Sequence, residues 1–241
     1  DDAPVEDEAI GWSESNAVIY ANSVLGARTV KHPDYLDLFI AMTGRAPHTG
    51  VYLTDNRRPG REIHVVLPET FDDALWPMLG WLAGALSPGH IPVLAGLETA
   101  HPTDDDLKAL CAAFGTTSAA PMLHVKGHTP EGHLAPHADA ERLMITPADL
   151  ARVWYDFNTA DDTVDLVAIG SPHASLAECR RLADLMHGGR CHAATDMIVT
   201  LGRHVLSAAR AEGIIERLQI AGVQVIPDIC WCSITEPVFP G

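Results

Sequence analysis

Basic residues are scarce in this chain: 16 Lys and Arg stand against 32 Asp and Glu, a formal net charge of −16 over 241 residues. A surface of that sign repels polyanions, which argues against nucleic acid or an anionic membrane surface as partners. An anionic ligand must then be held by local donors, against the overall field. Long apolar runs are missing too, since none reaches the roughly 20 residues that span a bilayer. The opening DDAPVEDEA is acidic and is not a secretory signal. Cysteines are few and odd in number: Cys111, Cys179, Cys191, Cys230 and Cys232. With no export signal, that is the pattern of free thiols in a reducing cytoplasm. There is no low-complexity segment and no convincing internal repeat. The chain also lacks an initiating Met and stops at PVFPG, so it reads as a piece of a larger protein.

Hydrophobic residues make up 47%, enough for a sizeable core, and the length suits one large domain or two modest ones. Residues 1–10 read as a flexible acidic lead. Apolar spacing predicts helices over 15–25, stopped by Gly26, and over 34–42, closed by Gly44. REIHVVLP, IPVLAG and AAPMLHVKG read as strands, with helices over 73–86 and after the cap Thr103 between them. A polar loop rich in Gly, Pro and His covers 127–141. Thr146 then caps a helix that has Pro147 at its first position. Beyond it VDLVAIG, DMIVTLG and VQVIP alternate with helices, the later one broken at Gly213. Alternation of this kind predicts an α/β fold of parallel sheets flanked by helices. The expected division is a first lobe over 1–126, a connecting loop over 127–146 and a second lobe over 147–241.

Three stretches carry candidate chemistry. In GWSESNAVIYANSVLGART, from Gly11 to Thr29, the polar positions are amides, hydroxyls, one Glu and one Arg. Such groups fix a small polar ligand directly, and Ser, Asn and Glu suit a helix N-terminus that attracts an anion. The competing reading is a capped core helix with Asn22 and Ser23 hydrogen-bonded internally. GSPHAS, Gly170 to Ser175, follows one strand and precedes a helix. There a helix N-terminus, with Ser171 and His173, suits carboxylate binding and proton donation, or simply caps a turn. Cys230 and Cys232 follow the last strand, at the edge where open α/β sheets gather ligands. Read alone, they are metal thiolates or two buried apolar cysteines. His124, His128, His133 and His137 match no standard zinc spacing. They read as structural or incidental, and Asp104–Asp106 and Asp161–Asp162 read as a helix start and a solvated turn.

SESNAVIYANSVLGART followed by DYLDLFIAMTGRAP, then DLVAIGSPHASLAE, then GVQVIPDICWCSITEP, resembles in order the large catalytic part of the aconitase X family. That family contains cis-3-hydroxy-L-proline dehydratases and archaeal mevalonate 5-phosphate dehydratases, which use an iron–sulfur centre. The resemblance implies a cytoplasmic hydro-lyase with stacked parallel sheets in an aconitase-like three-layer α/β/α arrangement. It implies a small hydroxy-acid substrate and a small swivelling domain, fused or separate, that closes over it. It makes Cys230 the metal ligand, at the cysteine of the family's Asp-Thr-Cys motif, although Ile229 replaces the Thr. Ser171 stands where some members place a further thiolate, and Cys232 and Cys179 are substitute ligands. Ser15, Asn16, Asn22, Arg28 and Ser171 become substrate-binding candidates, and Glu14 and His173 acid–base candidates. No Gly-rich phosphate loop or Lys/Arg cluster lies in the matched motifs, which favours cis-3-hydroxy-L-proline over a phosphorylated acid. The alternatives are the phosphomevalonate reaction and a non-catalytic structural or interaction domain that has lost the cluster.

Overall fold

The computed structural model describes residues 3–33, 35–159 and 163–230, so Cys232, Asp161 and Asp162 lie outside the described residues. The chain divides into two compact units, residues 1–158 and 159–241.

The first unit is built on four parallel strands, β1 (Arg61–Val65), β2 (Pro92–Ala95), β3 (His124–Val125) and β4 (Glu141–Ile145), in the order β3-β2-β1-β4. Its helices are α1 (Ser15–Ser23), α2 (Leu36–Thr43), α3 (Leu75–Leu86), α4 (Asp104–Thr117) and α5 (Pro147–Phe157). Their starts are written locally. Thr103 and Asp106 form a capping box on α4, and Thr146 and Asp149 another on α5. Each such cap contributes about 1 kcal/mol. Asp104 to Asp106 add acidic charge to the first turn of α4, as the macrodipole favours. Helices α3 and α4 pack closely because α3 carries glycine at the contact. A Cβ on Gly84 would sit 2.8 Å from the Phe114 carbonyl oxygen, and one on Gly80 would overlap the Leu110 carbonyl. Ile19, Ile63, Leu79, Leu94, Leu110 and Phe114 are all fully buried in the core between sheet and helices.

A buried cation ties the loops of this unit together. Arg57 is fully buried and pairs with Glu131 through Nε at 2.6 and 2.9 Å. Its remaining N–H groups donate to the carbonyls of Asn22, Ala27 and Val51. The guanidinium has five donors in a rigid fork, which lets one side chain satisfy a carboxylate and several backbone acceptors.

The structure corrects two expectations here. The acidic lead is tied down from Asp7 onward: Asp7 N donates to Gly26 O, Arg28 N to Glu8 O and Ile10 N to Arg28 O, at 2.8–3.0 Å. The expected connecting loop over 127–146 lies inside the first unit, as does the helix assigned to the second lobe. The reason is strand β4, which pairs with β1 from Arg61↔Glu141 to Val65↔Ile145 and carries the ion pairs Arg61–Glu141 and Arg142–Glu62. Helix α5 follows it and packs on α3, with Trp81 and Phe157 edge to face at 5.1 Å.

The second unit has three parallel strands, β5 (Leu166–Ile169), β6 (Asp196–Leu201) and β7 (Val223–Pro227), in the order β5-β6-β7. Helices α6 (Leu176–Leu185), α7 (Arg203–Ala211) and α8 (Ile214–Ile220) connect them, and Gly213 separates the last two. Ser175 and Glu178 form the capping box of α6. Val199, Leu201, Ile214, Leu218 and Val223 form its own core. Both sheets are parallel and flanked by helices, as the alternating pattern requires.

Candidate functional site

The candidate residues fall into two groups, one in each unit. In the first unit they lie on and after α1. Glu14 is the N-cap of that helix, and its carboxylate accepts from Asn16 N at 3.1 Å and Ala17 N at 2.8 Å. Ser15 and Asn16 are half-buried in the first turn. Lys31 lies near Glu14, and burial lowers its pKa while the Glu14 charge opposes that shift.

Asn22 and Arg28 are placed differently from the substrate-binding expectation. Asn22 is 1% exposed, and its amide is used at both ends. Nδ2 donates to Thr29 O at 2.9 Å and Pro121 O at 3.0 Å, while Oδ1 accepts from Thr29 N at 2.9 Å. Ser23 Oγ likewise accepts from Leu123 N. This is the capped core helix with internal hydrogen bonds. Arg28 gives Nε and Nη2 to Asp7 at 2.9 and 2.6 Å, and Nη1 to Tyr52 O at 3.0 Å. Both residues therefore hold the fold in this structure.

The second group sits at the carboxyl edge of β5-β6-β7, where the strand-to-helix turns converge. Strand β5 runs into Gly170-Ser171-Pro172-His173, with a cis Ser171–Pro172 peptide. Thr200, fully buried on β6, fastens both ends of that turn: its hydroxyl donates to Gly170 O at 2.7 Å, and its carbonyl accepts from Ala174 N at 2.9 Å. Strand β7 ends at Pro227, and Asp228 N donates to Leu201 O at 2.9 Å. Asp228 has φ +61, in the left-handed region that favours glycine. Its carboxylate accepts from Arg203 N at 3.0 Å and Arg203 Nε at 2.8 Å. Hydrogen bonding from Arg203 holds the Asp228 carboxyl below its usual pKa, and the nearby His173 ring acts in the same direction. Two residues further on, Cys230 Sγ lies 3.2 Å from Ser171 Oγ.

The structure thus brings Ser171, His173 and Cys230 to one edge. It adds three residues that the sequence reading missed: Thr200, Arg203 and Asp228. Asp228 lies within GVQVIPDICWCSITEP, two positions before Cys230. Arg203 carried no local signal, because its partner is 25 positions away in the sequence and only the β6–β7 register joins them.

His124, on β3, and the loop histidines His128 and His133 bond to the backbone. His124 Nε2 meets Arg57 O at 2.8 Å, His128 Nε2 meets Leu97 O at 2.7 Å and His133 Nδ1 meets Pro130 O at 3.0 Å. Burial pushes the pKa of His124 down. Among the described residues no three His, Cys, Asp or Glu side chains form a group able to hold a metal ion. Cys179 and Cys111 are fully buried in the two cores. No described helix is long and apolar enough to cross a membrane.

Parallel sheets flanked by helices in two units define an α/β protein, with hydroxyl, imidazole and thiol groups placed at the carboxyl edge of β5-β6-β7. Family models for the aconitase X first, second and third domains match residues 1–55, 59–155 and 164–241. The chain belongs to the aconitase X family.

It is 44% identical, over 99% of its length, to the cis-3-hydroxy-L-proline dehydratase of Hypocrea jecorina, and 42% identical over 100% to that of Pseudomonas aeruginosa. It spans 41% and 42% of those two proteins. A phosphomevalonate dehydratase large subunit of Methanothermobacter thermautotrophicus is 34% identical over 94% of the chain, which spans 56% of that subunit. Among solved structures, the holo-form of Thermococcus kodakaraensis aconitase X superposes with a TM-score of 0.86 at 33% identity, covering 95% of this chain and 58% of that one.

Proposed function

We propose that this chain is part of a hydro-lyase that removes water from cis-3-hydroxy-L-proline to give pyrroline-2-carboxylate. The observation that carries the reading is the edge at which Cys230 Sγ lies 3.2 Å from Ser171 Oγ, beside His173. It occurs in a chain 42–44% identical to two cis-3-hydroxy-L-proline dehydratases. In the elimination the C–H pair beside the carboxylate becomes the new double bond, and the C–O pair leaves with oxygen, protonated to water. One group must take the first proton and another must supply the second. His173 is the proton donor of this proposal, and Ser171 a hydrogen-bonding group for the substrate carboxylate or hydroxyl. Ser15 and Asn16 remain substrate-binding candidates from the first unit. Glu14 remains an acid–base candidate, at the cost of its two cap hydrogen bonds.

An iron–sulfur centre would supply Lewis acidity to the leaving oxygen. Cys230 is the thiolate we assign to it. The described residues supply no set of three ligands, so they do not complete such a centre by themselves. We therefore place the remaining ligands, and the small domain that closes the site, outside them. On the odd cysteine number we place the protein in the reducing cytoplasm, and on its net charge of −16 we expect neither nucleic acid nor an anionic membrane surface as partner.

The test is an anaerobic assay of the complete gene product that contains residues 1–241. We expect turnover of cis-3-hydroxy-L-proline and none of mevalonate 5-phosphate. The reverse preference would replace this substrate with the phosphorylated one. No turnover of either would favour a non-catalytic domain.

A further inference from the structure

We propose that the Asp228–Arg203 clamp is a positioning device that sets the Cys230 thiol against Ser171. This rests on reading Cys230 as a site residue. Four observations point to the clamp. Asp228 holds a left-handed backbone, φ +61, a conformation uncommon outside glycine that aspartate adopts more readily than most residues, and one that turns the chain sharply at the end of β7. Its backbone N–H is bonded to Leu201 O, at the end of β6. Its carboxylate takes the backbone N–H and the Nε of Arg203, and Arg203 Nη2 lies 2.6 Å from Oδ2. Helix α7 begins at Arg203 after Gly202, which has no side chain with which to cap it. Asp228 thus performs across the sheet what an N-cap residue does locally.

The consequence is geometric. Strand β7 is paired with β6 as far as Leu201↔Pro227 and the chain then turns. Without an anchor the direction of the next residues is open. With the carboxylate clamped on the first residue of α7, the chain leaves the sheet in one direction. That direction puts Cys230 on the turn that β5 delivers, where Ser171 waits at 3.2 Å. The clamp works through Cys230, so Asp228 and Arg203 are positioning residues.

The distance is read out by a crosslink that needs neither metal nor turnover. In the Ser171→Cys variant of the full chain, with chelator present, mild oxidation should join positions 171 and 230, identified by mass spectrometry. Adding Asp228→Ala should slow that crosslink about ten-fold or more, since reactions between held groups depend steeply on placement. Arg203→Ala should slow it similarly, and the double variant should be no slower than either single one. Glu212→Ala is the control. It breaks the Arg180–Glu212 pair of the same unit, bonded at 2.6 and 2.7 Å, and should leave the rate unchanged. Should Asp228→Ala fail to fold, Asp228→Asn and Arg203→Lys, which keep shape or charge but lose the two-pronged pairing, decide the matter by the same readout. An unchanged rate in the clamp variants, an equal slowing in Glu212→Ala, or no crosslink with Ser171→Cys alone would each overturn the proposal. Failure of the substrate assay would leave the crosslink result standing, so the two ideas fail separately.

Discussion

Gly170→Ala is expected to cost the second unit about 3 kcal/mol or more, a size seen where backbone strain and overlap combine. Gly170 has φ +112, which L-residues rarely adopt. An added Cβ would also overlap the Thr200 carbonyl and lie 2.5 Å from its hydroxyl and 2.9 Å from its backbone nitrogen. Those atoms belong to a central strand and have no room to give. Relief requires the turn to leave β6, which breaks the Thr200–Gly170 and Ala174–Thr200 hydrogen bonds and moves Ser171 and His173. Hydrogen exchange should show early opening over 166–176, with slow exchange kept in β1 and β2 of the first unit. Exchange and denaturation like wild type would mean that the turn is not held as described.

The second large effect is expected at the buried pair of the first unit. Glu131→Gln removes the charge opposite Arg57, whose side chain is fully buried, while Glu131 is 17% exposed. An uncompensated buried guanidinium costs about 3–5 kcal/mol. Arg57→Met removes that charge but strands three backbone carbonyls, those of Asn22, Ala27 and Val51, and leaves Glu131 without its partner. It should be destabilising as well, because unmade buried hydrogen bonds carry their own cost. The double variant should be less destabilised than the two single losses added together, since one charge no longer faces the absence of the other. Urea titration of the first unit measures all three. Single-variant losses below about 1 kcal/mol would place the pair with ordinary surface ion pairs.

Much of this architecture was legible in the sequence, for local reasons. Thr103, Thr146 and Pro147 mark helix starts because capping is decided within three residues. Gly44 closes α2 in the left-handed conformation expected of it, φ +65. The alternation of apolar strands and helices gave the parallel sheets. Strand β4 escaped because Glu141–Ile145 is a five-residue edge strand with Arg142 and Met144 facing outward, following directly on a His-rich loop. Its pairing with β1 is set by a partner 80 positions away in the sequence. Missing it displaced the domain boundary.

At the candidate site, residue type was legible and placement was not. Asn22 and Arg28 are chemically suited to a carboxylate, yet each is committed to the fold by distant partners, Pro121 and Asp7. Ser171 and Cys230 are 59 positions apart, and nothing local says that their side chains meet. Thr200 sits in an apolar strand and looks like any β-branched strand residue. Its function as the fastening of the Gly170 turn comes only from the sheet order.

Whether the carboxyl edge of β5-β6-β7 belongs to a metal-bearing dehydratase site is decided most directly by iron content. The complete gene product containing residues 1–241 and its Cys230→Ala variant would be purified without oxygen, then compared for iron and sulfide per chain and for visible absorption. The expected result is iron in the wild-type protein and loss of most of it in Cys230→Ala, with circular dichroism and thermal midpoint kept. Equal iron in both proteins would contradict the assignment and remove Cys230 from the site.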